Sequence, residues 1–135
     1  VLDFEGEPAR PLAERQRPSS PLRDVAGMLR SFHYAAAMGL REYGGDADDE
    51  LRALAEAWEG HNRARFLEGY FGVDGIDAVL PASEADRALV LAAFELDKAV
   101  YEVAYEASHR PEWVGIPLSA IQRILEETAR GRRTN

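Results

Sequence analysis

The chain has 135 residues, 46% of them hydrophobic, and a formal charge of 16 − 24 = −8 at pH 7 with histidine neutral. That length suits one domain and not two, and the apolar share is enough for a packed core. The acidic balance argues against a nucleic-acid backbone as partner, since phosphate binding needs clustered Lys and Arg, and the absence of cysteine rules out disulfides and thiol catalysis.

Val1-Leu2-Asp3-Phe4 reads as the end of a buried strand, stopped by Glu5-Gly6-Glu7-Pro8, where glycine permits a turn and proline cannot donate to a ladder. A lone strand closes no sheet, so the expectation is a fragment whose strand pairs with something upstream. Arg10 to Ser20 is basic and proline-rich and reads as an extended loop. Ser20 as N-cap and Pro21 at the first helical position open a helix, in which Leu22, Val25, Ala26, Leu29, Phe32 and Ala36 recur at helical spacing. Gly44-Gly45 ends it. The acidic run Asp46 to Glu50 suits the positive N-terminus of a second helix, with Leu51, Leu54, Ala55, Trp58 and Asn62 on one face.

Gly72 to Pro81 is a connector. Ser83 to Asp86 resembles a capping box with Asp in the place of the usual Glu or Gln, and the longest helix follows, to about Ser108. Its packing face is expected to be Leu89, Val90, Ala93, Val100, Val103 and Ala104. Arg110-Pro111 stops it, and Pro117 opens a last helix through Leu118, Ile121, Ile124 and Leu125. The fold class expected is therefore mainly α, with one N-terminal strand end and about four helices. No apolar run approaches the roughly 20 residues that span a bilayer, and no charged-then-apolar leader is seen, so a cytoplasmic protein without membrane partners is expected.

Asp3 stands at a strand end just before a glycine turn, which aims a hard oxygen ligand out of a core, as Mg²⁺ with nucleotide phosphates requires. Read alone, the same Asp is equally a turn cap. Phe94, Lys98, Tyr101 and Tyr105 follow one another at steps of four, three and four and share a helix face. Phenol and ammonium groups there suit a sugar acceptor, and Trp113 beyond the helix is a further candidate. Equally, the tyrosines are core edges with wet hydroxyls, Lys98 pairs with Glu102, and Trp113 is a buried anchor. His33, His61 and His109 lack metal-ligand spacing, and the arginines between Arg10 and Arg23 read as solvated loop charges.

The segments Asp3-Phe4-Glu5-Gly6-Glu7-Pro8, Ser20 to Phe32, and Glu95-Leu96-Asp97-Lys98-Ala99-Val100-Tyr101-Glu102 onward to Ala107, with Arg110-Pro111, Trp113 and Ile116-Pro117-Leu118, closely resemble maltokinases, which belong to the aminoglycoside-phosphotransferase-like kinases. The resemblance implies a protein-kinase-like fold, with residues 1–135 the C-terminal helical part of its C-lobe. It implies transfer of phosphate from ATP to the anomeric hydroxyl of maltose, giving maltose 1-phosphate, in an enzyme that stands alone or is fused behind a trehalose synthase. Asp3 matches the Mg²⁺-binding Asp. The nucleotide lobe and the catalytic loop with its base are expected upstream, so no residue here takes the base role, and the chain alone is expected to be inactive. Asp24 is implied as a buried brace of that loop, and Lys98, Tyr101 and Tyr105 as the acceptor-sugar face. The chain departs from the family at His33, where an acidic residue is usual, and at Ser108, where a more polar or basic one is. An aminosugar or amino-alcohol kinase of the same fold and a non-catalytic helical interaction domain are the alternatives.

Overall fold

The computed structural model describes residues 11–15, 19–43 and 48–131. The expected strand at Val1–Phe4, and Asp3 with it, lies outside the described residues. Within them the protein is α-helical, with no strand: α1 is Leu12–Arg15, α2 Leu22–Glu42, α3 Asp49–Phe71, α4 Glu84–His109 and α5 Gly115–Gly131, with short 3-10 turns at Ile76–Val79 and Pro111–Trp113. The α1 turn interrupts what the prolines suggested was extended loop. Pro11 immediately precedes it, so the missing N–H falls where a helix has no use for one.

Local sequence sets the helix boundaries. Pro21 holds αR geometry at the entrance to α2, and the Leu22 N–H donates to the Ser20 hydroxyl at 3.3 Å. The Asp48 carboxylate caps α3, accepting from the Leu51 N–H at 2.8 Å. At α4 the Ser83 hydroxyl accepts from the Asp86 N–H at 3.0 Å and donates to the Asp86 carboxylate at 2.7 Å. Asp is one methylene shorter than the Glu of a full capping box, and it takes the hydroxyl proton in place of the Ser83 backbone N–H. Arg110, restricted by the following proline, leaves helical geometry and ends α4. α5 begins two residues before the expected Pro117, which sits in the first turn, where its absent N–H is no loss.

α2 is the central element, packing against α3 and α4, while α5 packs mainly on α4. Leu22, Val25, Ala26 and Leu29, the α2 face read from spacing, form the core with Leu91. Phe66, Tyr70 and Phe71 of α3 close over it, and Phe32 meets Phe66 and Trp58 edge-on at 5.9 and 6.4 Å between centroids. The expected α3 face is only half right: Leu54 is 65% exposed, and the one buried α3 residue is Glu59.

The packing face of α4 is only in part the one its apolar residues suggested: Val90 packs against the core and Val103 is half-buried. Leu89, Ala93, Val100 and Ala104 are exposed, and the buried residues are Leu91, Glu95, Ala99 and Glu106. Burying carboxylates is tolerable only with paired charges and satisfied oxygens, and each finds an arginine. That inversion leaves an apolar, aromatic stripe of α4 facing outward. No helix among the described residues is long and apolar enough to cross a membrane.

Candidate functional site

The outward stripe of α4 carries a shallow groove of about 500 Å³. Tyr101, Tyr105 and His109 line it one helical turn apart, with Asp97, Val100, Ala104 and Ser108 beside them. The rings form a ladder. Tyr101 and Tyr105 lie nearly parallel, 19° apart with centroids at 6.3 Å, and Tyr105 and His109 stack at 4.3 Å and 18°. The lining offers phenols, a carboxylate and a serine hydroxyl on an apolar floor, which is the mixture that holds a polyhydroxylated ring. All of it comes from α4, so the described residues build one wall of the site.

That wall is held in place from behind by two charge clusters. In the first, Arg30 of α2, 1% exposed, donates through Nε to Glu102 at 2.8 Å. One turn further on, Glu106 accepts from the Tyr34 hydroxyl at 3.0 Å and from both Nε and a terminal nitrogen of Arg110, each at 2.8 Å. Burial first, then the carboxylate charge of Glu102 and the bond to Glu106, push the Tyr34 phenol well above the usual tyrosine range, so it stays a donor. Trp113 lies beneath the Arg110 guanidinium, 4.0 Å from the ring centroid, with Arg41 5.9 Å away on the α2 side. This cluster fixes the end of α4 that carries Tyr105 and His109.

In the second cluster, Arg63 of α3 grips Glu95 through two bonds of 2.8 and 3.0 Å. Arg123 of α5 lies 3.8 Å from Glu95 and 3.6 Å from Glu59. His33 joins three helices. Its Nδ1 faces the Glu59 carboxylate at 2.9 Å, and its Nε2 faces the Ile116 carbonyl at 3.0 Å. Burial alone would raise the Glu59 carboxyl, but the His33 hydrogen bond and the charges of His33, Arg123 and Arg63 outweigh it and hold Glu59 below the usual glutamate value. For Arg63, burial works against the charge, and the Glu95 bond and charge overcome it. A polar cleft of about 530 Å³ opens over this cluster between α2, α3 and α5. Its main charged groups are engaged with each other.

The structure thus brings Tyr101 and Tyr105 together and sets Lys98 apart from the groove lining. Lys98 turns toward α2, where a methyl added at Gly27 would meet its Cε at 3.8 Å. Asp24 is exposed in the first turn of α2, not buried, and its charge, after burial, helps raise the Tyr70 phenol. Trp113 is an anchor, with Arg110 over one face of the ring. His33 is a helix-joining residue. Asp97, Ser108 and His109 escaped the sequence reading, although steps of four, three, one, three and one from Asp97 through Tyr101, Ala104, Tyr105, Ser108 and His109 trace one helix face. Among the described residues no group of three or more His, Asp or Glu could hold a metal ion, and Asp3 is not among those residues.

No protein-family model matches the chain. It is 30% identical over 129 residues to a glucosamine kinase of Mycolicibacterium smegmatis (strain ATCC 700084 / mc(2)155), an alignment covering 94% of the chain and 30% of that relative. The chain therefore spans under a third of the relative's length, and the sequence relationship is to a sugar kinase.

Proposed function

We propose that the chain supplies the acceptor-sugar side of an ATP-dependent sugar kinase, with the Tyr101–Tyr105 groove of α4 receiving the sugar. The observation that carries this reading is the ladder of rings and hydroxyls on the outer face of a helix whose inner face is clamped by Arg30, Arg63 and Arg110. Phosphoryl transfer depends chiefly on positioning and charge stabilisation, and a rigid acceptor wall serves positioning. The resemblance of Glu95 to Ala107 to maltokinases supports maltose as acceptor. The anomeric oxygen then bonds to the γ-phosphorus as the bond to ADP breaks, and the hydroxyl proton passes to a base outside this chain. Asp3 would give a carboxylate oxygen to the Mg²⁺ that accompanies ATP, and Asp24 would meet the catalytic loop through its exposed carboxylate, whereas Lys98, turned toward α2, is left out of the acceptor groove. A fused or associated trehalose synthase would supply the metabolic context.

A second reading, an aminosugar acceptor, is favoured by the identity with the glucosamine kinase and by the Asp97 carboxylate in the groove, which suits an ammonium group. The test is ATP- and Mg²⁺-dependent phosphorylation by the full-length protein, with maltose, glucosamine and glucose as parallel acceptors, for wild type and Asp3→Asn. Maltose phosphorylation that collapses in the folded variant supports the maltokinase reading and the metal role together. Preference for glucosamine selects the second reading, and inactivity on every sugar rejects both.

A further inference from the structure

The groove contains one contact that its proposed use does not explain. The imidazole of His109 lies parallel to the Tyr105 ring, 18° apart with centroids at 4.3 Å. Its Nδ1 is 2.9 Å from the Tyr105 carbonyl oxygen. A carbonyl only accepts, so Nδ1 carries the hydrogen and the ring is fixed by a donor at one edge and a stack on one face. Tyr105 is also stacked with Tyr101, and the Arg110 guanidinium stands 5.7 Å from its centroid. The C–H face of a pyranose packs against an aromatic face. On Tyr105 the face toward the end of α4 is already taken by a ring of similar size.

We infer that His109 is a specificity-determining residue of the groove, a built-in occupant of the sugar-stacking face of Tyr105 that an acceptor must displace in order to use both tyrosines. The inference rests on the reading of this groove as an acceptor-sugar site. A sugar held only at Tyr101, Asp97 and the phenol hydroxyls leaves His109 in place. An acceptor of two rings, reaching along α4 past Tyr101, must break the stack and the Nδ1–carbonyl bond before it can lie on Tyr105. His109 therefore weighs against long acceptors more than against short ones. Nothing about its ring is needed to hold α4 together: the helix end is fixed by Glu106, Arg110 and Trp113, and His109 is exposed.

The test uses the full-length protein with maltose and glucosamine as two- and one-ring acceptors, comparing wild type, His109→Ala and His109→Phe. Sugar KM is read against ATP KM, and thermal unfolding checks the fold. Loss of one aromatic stack corresponds to roughly a three- to tenfold change in affinity. His109→Ala is expected to lower the maltose KM by about that factor, to change the glucosamine KM by less than about twofold, and to leave the ATP KM unmoved. His109→Phe, which keeps a ring over Tyr105, should retain the wild-type ratio of the two sugar values. A protein that phosphorylates sugars with all three variants alike overturns the inference and leaves the sugar-kinase reading standing. So does an Ala variant whose maltose KM rises, which would make the imidazole a direct sugar contact. A wild type that phosphorylates no sugar overturns both.

Discussion

The inner face of α4 gives the sharpest test of how this fold is held. Arg63 and Glu95 form a bidentate pair with bonds of 2.8 and 3.0 Å, and their side chains are only 14% and 6% exposed. Removing one member of such a pair leaves an uncompensated buried charge, which costs about 3–5 kcal/mol. Glu95→Leu leaves Arg63 with Glu59 at 3.9 Å and the Leu29 carbonyl at 3.5 Å, partners that offset part of the lost pairing, so the lower half of that range, about 3–4 kcal/mol, is expected. Arg63→Met strands Glu95 with Arg123 at 3.8 Å and should cost a similar amount. The double variant removes both charges and fills the space with apolar atoms, and it should recover most of the loss, ending within about 1 kcal/mol of wild type. Urea unfolding followed by far-ultraviolet circular dichroism measures all four proteins. Single variants that each cost under about 1 kcal/mol, or a double variant whose loss equals the sum of the singles, would refute the claim that a paired, desolvated charge positions α4.

Glu59, held below its usual value, contributes stability that is complete above the ordinary glutamate pKa of 4.5 and is lost as pH falls through the lower folded value. Stability measured between neutral and strongly acidic pH should therefore fall on the acid side, and Glu59→Gln should flatten that limb while lowering the neutral plateau. Leu29→Ala opens the α2 core, where Leu29 is fully buried, and should cost about 2–5 kcal/mol in the same urea experiment. Ser83→Ala removes the α4 cap and should cost about 1 kcal/mol, read as a lower thermal midpoint.

Boundaries and the apolar core were legible because they depend on short-range chemistry. Ser20-Pro21, Ser83 and Arg110-Pro111 mark helix ends where the backbone requires caps or breaks, the acidic run to Glu50 marks the start of α3, and Leu22, Val25, Ala26 and Leu29 have the spacing of a buried stripe. The orientation of α4 was legible only in part: Val90 packs inward as expected, while Leu89, Ala93, Val100 and Ala104 do not. Hydrophobic periodicity assigns the inside to the apolar face, and here Glu95 and Glu106 are inside because Arg63 and Arg110, with Tyr34, meet them there. Two of those three partners sit on other helices, at separations that no local pattern encodes. The same inversion explains the site. Tyr101 and Tyr105 were identified by spacing and do meet, whereas Lys98, on the edge of that face, follows the packing toward α2, and Asp24 is exposed where a buried brace was expected. His109 lies one turn beyond Tyr105 on the same face, but metal-ligand spacing alone does not find it, since its contact is an aromatic stack.

Acceptor binding by the outer face of α4 is the central proposal for this chain. The direct measurement is steady-state kinetics of the full-length protein with Tyr101→Phe, which keeps the ring and removes one hydroxyl. Loss of a hydrogen bond of about 0.5–1.5 kcal/mol predicts a rise of roughly two- to twelvefold in the KM of the accepted sugar, with the ATP KM unchanged. A sugar KM that does not move, or a change that falls equally on sugar and ATP, would contradict the assignment of this groove.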